Sequence, residues 1–156
     1  MKHLKLLWVF LLITNSSFGD TGYVYPLMSP RISSDYGKRY HPIRKIIKHH
    51  DGIDLAAPLE APIRAIASGY VIFSGVHGGY GNYVVIMHKD GTTSHYGHCQ
   101  TLSVNVGERI KAGSIIATVG DTGKVTGPHL HLEIRRNGVA LDPEKVIPGL
   151  AELAEG

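Results

Sequence analysis

The sequence predicts a mostly β protein, a compact antiparallel sheet domain with a minor helix. Three observations carry that expectation. The 19 glycines are scattered through the 156 residues, as tight turns between short strands require. Turn signals recur about every ten residues from residue 32 onward. Between them lie short runs rich in β-branched and aromatic residues, and only the tail, residues 143–154, suggests a helical period.

Residues 1–19 read as an export signal. Lys2, His3 and Lys5 form a basic start, residues 6–13 form an apolar run with Trp8 and Phe10, and Ser17-Phe18-Gly19 offers small residues where a signal peptidase reads. The run is far shorter than the roughly 20 residues that span a bilayer. An uncleaved anchor is the alternative, and either way the chain is exported, with no stable membrane insertion once the signal is cut. Removing Lys2 and Lys5 leaves 14 basic against 13 acidic side chains. The apparent basicity is then mostly signal, and no nucleic-acid partner is expected.

Residues 20–31, with Pro26 and Pro30, read as an extended lead-in, and residues 32–156 as one domain with little room for a second. Turns are expected at Asp51-Gly52, Ala57-Pro58, Ser68-Gly69, Gly78-Gly79, Asp90-Gly91, Ala112-Gly113 and Asn137-Gly138. Strands are expected over 61–67, 70–74, 82–88, 92–96, 114–119 and 129–135. Cys99 is the only cysteine, so no intramolecular disulfide forms, and a small buried side chain is a better reading of it than a reactive thiol.

Three histidine clusters carry the chemistry. In His50-Asp51-Gly52-Ile53-Asp54, the glycine and the coming Pro58 disfavour a helix. On a strand, residues i and i+4 share a face, which selects His50 over His49 as the partner of Asp54. Taken alone this spacing is a weak signal, and a solvated turn explains it better. In residues 127–134 polar and apolar residues alternate, putting His129, His131 and Glu133 on one face and Leu130, Leu132 and Ile134 on the other. Two such imidazoles stand roughly 7 Å apart, so one can bind an ion while the other reaches its water. In residues 94–99 the same parity groups Ser94, Tyr96 and His98, with His95 and Cys99 opposite. The nearby Gly78-Gly79-Tyr80-Gly81-Asn82 loop allows a substrate backbone to come close.

Taken in order, residues 33–43, His50 to Asp54, Tyr80 to His88, Tyr96-Gly97-His98 and residues 123–133 resemble the M23 peptidases, the LytM or lysostaphin-like endopeptidases. Residues 106–113 resemble the hairpin that such domains share with biotinyl-type carriers. The departures, Leu59-Glu60 and Cys99, touch no matched site position. The resemblance implies one Zn2+ per chain held by His50, Asp54 and His131, with His98 and His129 as the catalytic pair. His129 is expected to be the general base and His98 to stabilise the oxyanion or protonate the leaving amine. His41, Tyr80 and Asn82 are expected to bind substrate, with a plain loop residue as the other reading of His41. Glu133 either orients a ligand histidine or is a surface carboxylate.

Family and compartment together imply a periplasmic or extracellular, wall-associated hydrolase of peptidoglycan stem peptides or cross-links, and leave room for an envelope protein that recruits it. The alternative is an inactive domain of this type that activates a wall amidase, although every matched ligand position is filled. A carrier or sugar-binding module would leave the histidine clusters without a purpose.

Overall fold

The computed structural model describes residues 22–155, so the export signal expected at 1–19 lies outside the described residues. In chain order the strands are β1 (Arg31–Ser34), β2 (Gly37–His41), β3 (Ile46–His50), β4 (Ile53–Ala56), β5 (Pro62–Arg64) and β6 (Gly69–Val76). There follow β7 (Asn82–His88), β8 (Thr92–Leu102), β9 (Arg109–Ile110), β10 (Ile115–Val119), β11 (His129–Arg136) and β12 (Val139–Leu141). The expected antiparallel sheet is present, in the order β1-β4-β11-β8-β7-β6-β9, with β10 joining β5 to β8 and β12 beside β11. β2 and β3 stand apart as a two-stranded hairpin. No described helix is long and apolar enough to cross a membrane.

β11 is the central strand of the functional story, and its alternation explains its place. Leu130, Leu132 and Ile134 are fully buried, each contributing about 1.5–3 kcal/mol of transfer free energy. They join Ile53 and Leu55 of β4 and Tyr96 of β8 in one core. The other face of β11 therefore carries His129, His131 and Glu133 together. Cys99 belongs to the same core, where burial pushes its thiol up to about 12 and removes it from thiolate chemistry.

Two sequence expectations change. The tail forms only one helical turn, α1 (Pro143–Val146), where the Asp142 side chain accepts from the Glu144 amide. Pro148 and Gly149, the latter at φ 77°, prevent its continuation, and a 3₁₀ turn follows at Glu152–Glu155. The lead-in, residues 20–31, is partly built into the domain. Leu27 is buried in the core, the Val24 amide donates to the Ile66 carbonyl, and β1 already begins at Arg31. Two prolines and an absence of periodicity concealed this packing in the sequence.

Candidate metal and catalytic site

Residues 50–54 are not the single strand that parity assumed. β3 ends at His50, the chain bends at Asp51-Gly52, and β4 begins at Ile53. A side chain at position 52 would place its Cβ 2.2 Å from the Leu132 carbonyl oxygen, so the bend presses on β11 where only glycine fits. Beyond it β4 pairs with β11 so that Asp54 lies directly opposite His131. The hairpin brings His50 in from the other side, and the His50 and His131 rings are 5.0 Å apart between centroids. His49 takes no part in this approach, its Nδ1 donating to Asp51 at 2.9 Å and its ring meeting Tyr36 edge-on, although it lines the groove above the site.

Three donor atoms converge. His50 Nε2 is 3.2 Å from His131 Nδ1 and 3.2 Å from Asp54 Oδ1, and His131 Nδ1 is 2.9 Å from the same oxygen. A tetrahedral zinc with N and O ligands at 2.0–2.2 Å separates its donors by about 3.3 Å, so this triangle is of the right size. The other ring nitrogens agree. His50 Nδ1 donates to the Asp35 carbonyl at 2.7 Å and His131 Nε2 to Glu133 Oε1 at 2.8 Å, leaving the inward nitrogen of each ring as the donor to a cation. Burial alone would raise the Asp54 carboxyl, but the two histidines hold it well below the ordinary carboxylate range. Burial would lower the His131 ring, yet its place between Asp54 and Glu133 takes it up to about 9. The residues present thus fit a divalent cation in both size and charge.

His129 and His98 stand beside this triangle. The His129 Nδ1–H donates to the Gly127 carbonyl at 2.9 Å, which leaves Nε2 with its lone pair, 3.6 Å from Asp54 Oδ1. The His98 Nδ1–H donates to the Thr122 carbonyl at 2.8 Å, and its ring lies 4.9 Å from that of His129. Burial lowers the His98 ring below its ordinary range, against the pull of the Thr122 carbonyl. The expectation that His98 shares the side of Tyr96 is corrected. His98 takes φ 62°, which flips the alternation, so Tyr96 points into the core while His98 lines the groove.

Glu133 is 1% exposed and fully engaged: Tyr80 donates to Oε1 at 2.8 Å, as does His131, and Arg135 grips Oε2 at 2.6 Å. Burial opposes its charge, but these donors bring it down to about 2. Of its two sequence readings, the one that orients a histidine is therefore met, and the surface carboxylate is excluded. The Tyr80 hydroxyl is pushed up to about 12 by burial and by Glu133, so it remains a donor. Glu133→Gln is expected to weaken zinc binding about 10–100-fold, read by competition with a chromogenic chelator. An unchanged affinity would deny Glu133 that role.

A groove of about 460 Å³ lies over the five residues, with Gly79, Tyr80, Lys124 and Thr126 on its wall. That wall is a pair of interlocked loops. A Cβ on Gly123, at φ 80°, would come within 2.5 Å of the Gly79 carbonyl oxygen, and the Lys124 amide donates to that carbonyl. Of the side chains expected to bind substrate, Tyr80 lines the groove, while His41 and Asn82 lie outside its lining. Asn82 is used internally, its amide donating to Thr122 Oγ1 and its Nδ2 to the Gln100 carbonyl. His41 Nδ1 accepts the Arg44 amide in the hairpin turn. The sequence reading missed Arg39, Lys124 and Arg135. Only Arg135 had a signal, since it shares the parity of Glu133 on β11.

The profile of peptidase family M23 matches residues 48–143. DD-carboxypeptidase/endopeptidase Mpg of Neisseria meningitidis is 44% identical over 132 residues, 85% of this chain, and the chain spans only 30% of that protein's length. Peptidoglycan DD-endopeptidase ShyC of Vibrio cholerae is 43% identical over 122 residues, 78% of this chain and 28% of that protein. The crystal structure of a zinc-containing peptidase from V. cholerae superposes with a TM-score of 0.74 at 35% identity, covering 79% of this chain and 39% of that one. The sheet, the histidine clusters and these matches agree: the chain belongs to peptidase family M23.

Proposed function

We propose that the domain is a zinc endopeptidase that hydrolyses peptide bonds of bacterial peptidoglycan, in the cell envelope or outside the cell. The observation that carries this reading is the convergence of His50, Asp54 and His131, from three strands, beside two histidines, His98 and His129, that line the same groove. The names of the Neisseria and Vibrio relatives support the peptide substrate, and the Vibrio structure supports zinc. His50 Nε2, Asp54 Oδ1 and His131 Nδ1 would hold Zn2+, which would supply Lewis acidity to water and to the scissile carbonyl.

The chain's own residues do the rest. His129, its Nδ1 tied to Gly127, takes a proton from the attacking water at Nε2. His98, tied through Nδ1 to Thr122, presents Nε2 to the developing oxyanion or the leaving nitrogen. Because burial lowers the ring's affinity for a proton, His98 readily passes on to the leaving amine the proton that the attacking water gives up. Tyr80 and Arg135, through Glu133, keep the His131 ring from rotating.

The test is chelation followed by zinc restoration, with fragments released from purified sacculi identified by mass spectrometry. Peptide cleavage is expected to vanish on chelation and return with zinc. Fragment release indifferent to the chelator, or none with zinc restored, refutes the reading.

A further inference from the structure

The β2–β3 hairpin carries a charge imbalance that the metal chemistry does not use. Residues 37–50 contain Lys38, Arg39, Arg44, Lys45 and Lys48 and no carboxylate. Register decides which of these share the face of the metal ligand. Directly opposed residues of an antiparallel pair lie on one face, and alternate residues return to it. Gly37 pairs with His50 and Arg39 with Lys48, so Arg39 and Lys48 stand on the His50 face. Lys38, paired with His49, stands on the other.

Arg39 is held at the edge of the centre. Its guanidinium lies against the His50 ring, donates to the Asp35 carbonyl at 3.3 Å and stands 3.7 Å from Asp54 Oδ2, too far for a hydrogen bond. Its side chain remains 43% exposed, so part of the guanidinium fork is open to solvent beside Asp54, just outside the residues that line the groove. Lys48 is exposed and, among the described residues, forms no ion pair. Of the carboxylates that line the groove, Asp54 is committed to the two histidines and Glu133 to His131, Tyr80 and Arg135, while Asp51, half-exposed, pairs with His49. A divalent cation at Asp54 would cancel the one charge that now draws Arg39 inward. Lys124 adds a cation on the opposite wall. A planar fork beside an ammonium is chemistry for a carboxylate, gripped on two oxygens.

We propose that Arg39, with Lys48 beside it, binds a free carboxylate of the substrate next to the scissile bond. The domain thereby selects carboxylate-bearing peptides over neutral bridges; this specificity rests on the hydrolytic reading above. Both are specificity residues, and neither reaches the reacting atoms.

Two peptides that differ only in a free carboxylate or a carboxamide beside the scissile bond test it on the zinc-loaded chain. The wild type is expected to favour the acid about 10–100-fold in kcat/KM, mainly through KM, the value of charge-assisted hydrogen bonds. Arg39→Gln and Lys48→Gln each lose part of that preference and together most of it, with bound zinc measured in each. Lys48→Gln touches no metal ligand and keeps the comparison readable if Arg39→Gln loses the ion. Lys38→Gln removes the same charge from the far face and should keep the preference, which separates contact from general attraction. Equal use of both peptides by the wild type, or a preference that survives the double variant, overturns the proposal. If neither peptide is cut, the hydrolytic reading fails instead. Equilibrium binding of the same pair then decides the subsite: tighter binding of the acid sustains it, equal affinity overturns it.

Discussion

His131→Ala is expected to lose bound zinc and to reduce peptide hydrolysis by more than about a thousandfold, since Lewis-acid stabilisation of the reaction is worth several kcal/mol. His131 is placed by the main sheet, directly opposite Asp54 across β4 and β11, and its ring is locked by Glu133. The neighbouring His129 holds its Nε2 3.6 Å from Asp54 Oδ1, outside the triangle that His131 completes. The fold should survive. Glu133 keeps Tyr80 and Arg135 as donors, so its buried charge is not abandoned. Zinc content after gel filtration, cleavage of sacculi and the melting temperature with and without zinc read the three consequences. Zinc that raises the melting temperature of the variant as it does for the wild type would remove His131 from the ligand set.

His129→Ala is expected to do the opposite with the metal and nearly the same with turnover. Zinc content stays at the wild-type level, while kcat falls about 10²–10⁴-fold, the usual worth of a positioned proton acceptor. The distinction follows from geometry. His129 Nε2 is 3.6 Å from Asp54 Oδ1, outside the tight triangle formed by His50, Asp54 and His131, yet its free lone pair faces the same groove. Zinc content and kcat at saturating peptide settle it together. A variant that retains zinc and cleaves within tenfold of wild type denies His129 the role of base, and one that loses zinc makes it a ligand.

How much of this was legible in the chain depends on the range over which each feature is encoded. The β11 alternation is local and was readable in full, because Leu130, Leu132 and Ile134 mark the core face and so expose His129, His131 and Glu133 as the other. The pairing of His50 with Asp54 was read for the wrong reason. Parity along one strand selected it, whereas the structure achieves it with a bend at Gly52 and a register between β4 and β11 that no local pattern records. His98 was misplaced because one left-handed residue reverses the parity of everything around it, and a histidine does not advertise that conformation as a glycine does. Arg39 comes to the edge of Asp54 only through the hairpin, and Lys124 to the groove only through the interlocked loops, contacts that no local pattern records.

The hairpin's independence from the main sheet has a consequence of its own. It is attached by two short links, Asp35-Tyr36 after β1 and Asp51-Gly52 before β4, and so resembles a flap on twin hinges. His50 belongs to that flap, whereas Asp54 and His131 belong to the body. A cation shared by all three would fasten one to the other, so that its occupancy would be coupled to the position of the hairpin. Linkage is reciprocal: any peptide that grips the flap and the body together must strengthen the hold on the cation by the same factor that the cation strengthens the hold on the peptide.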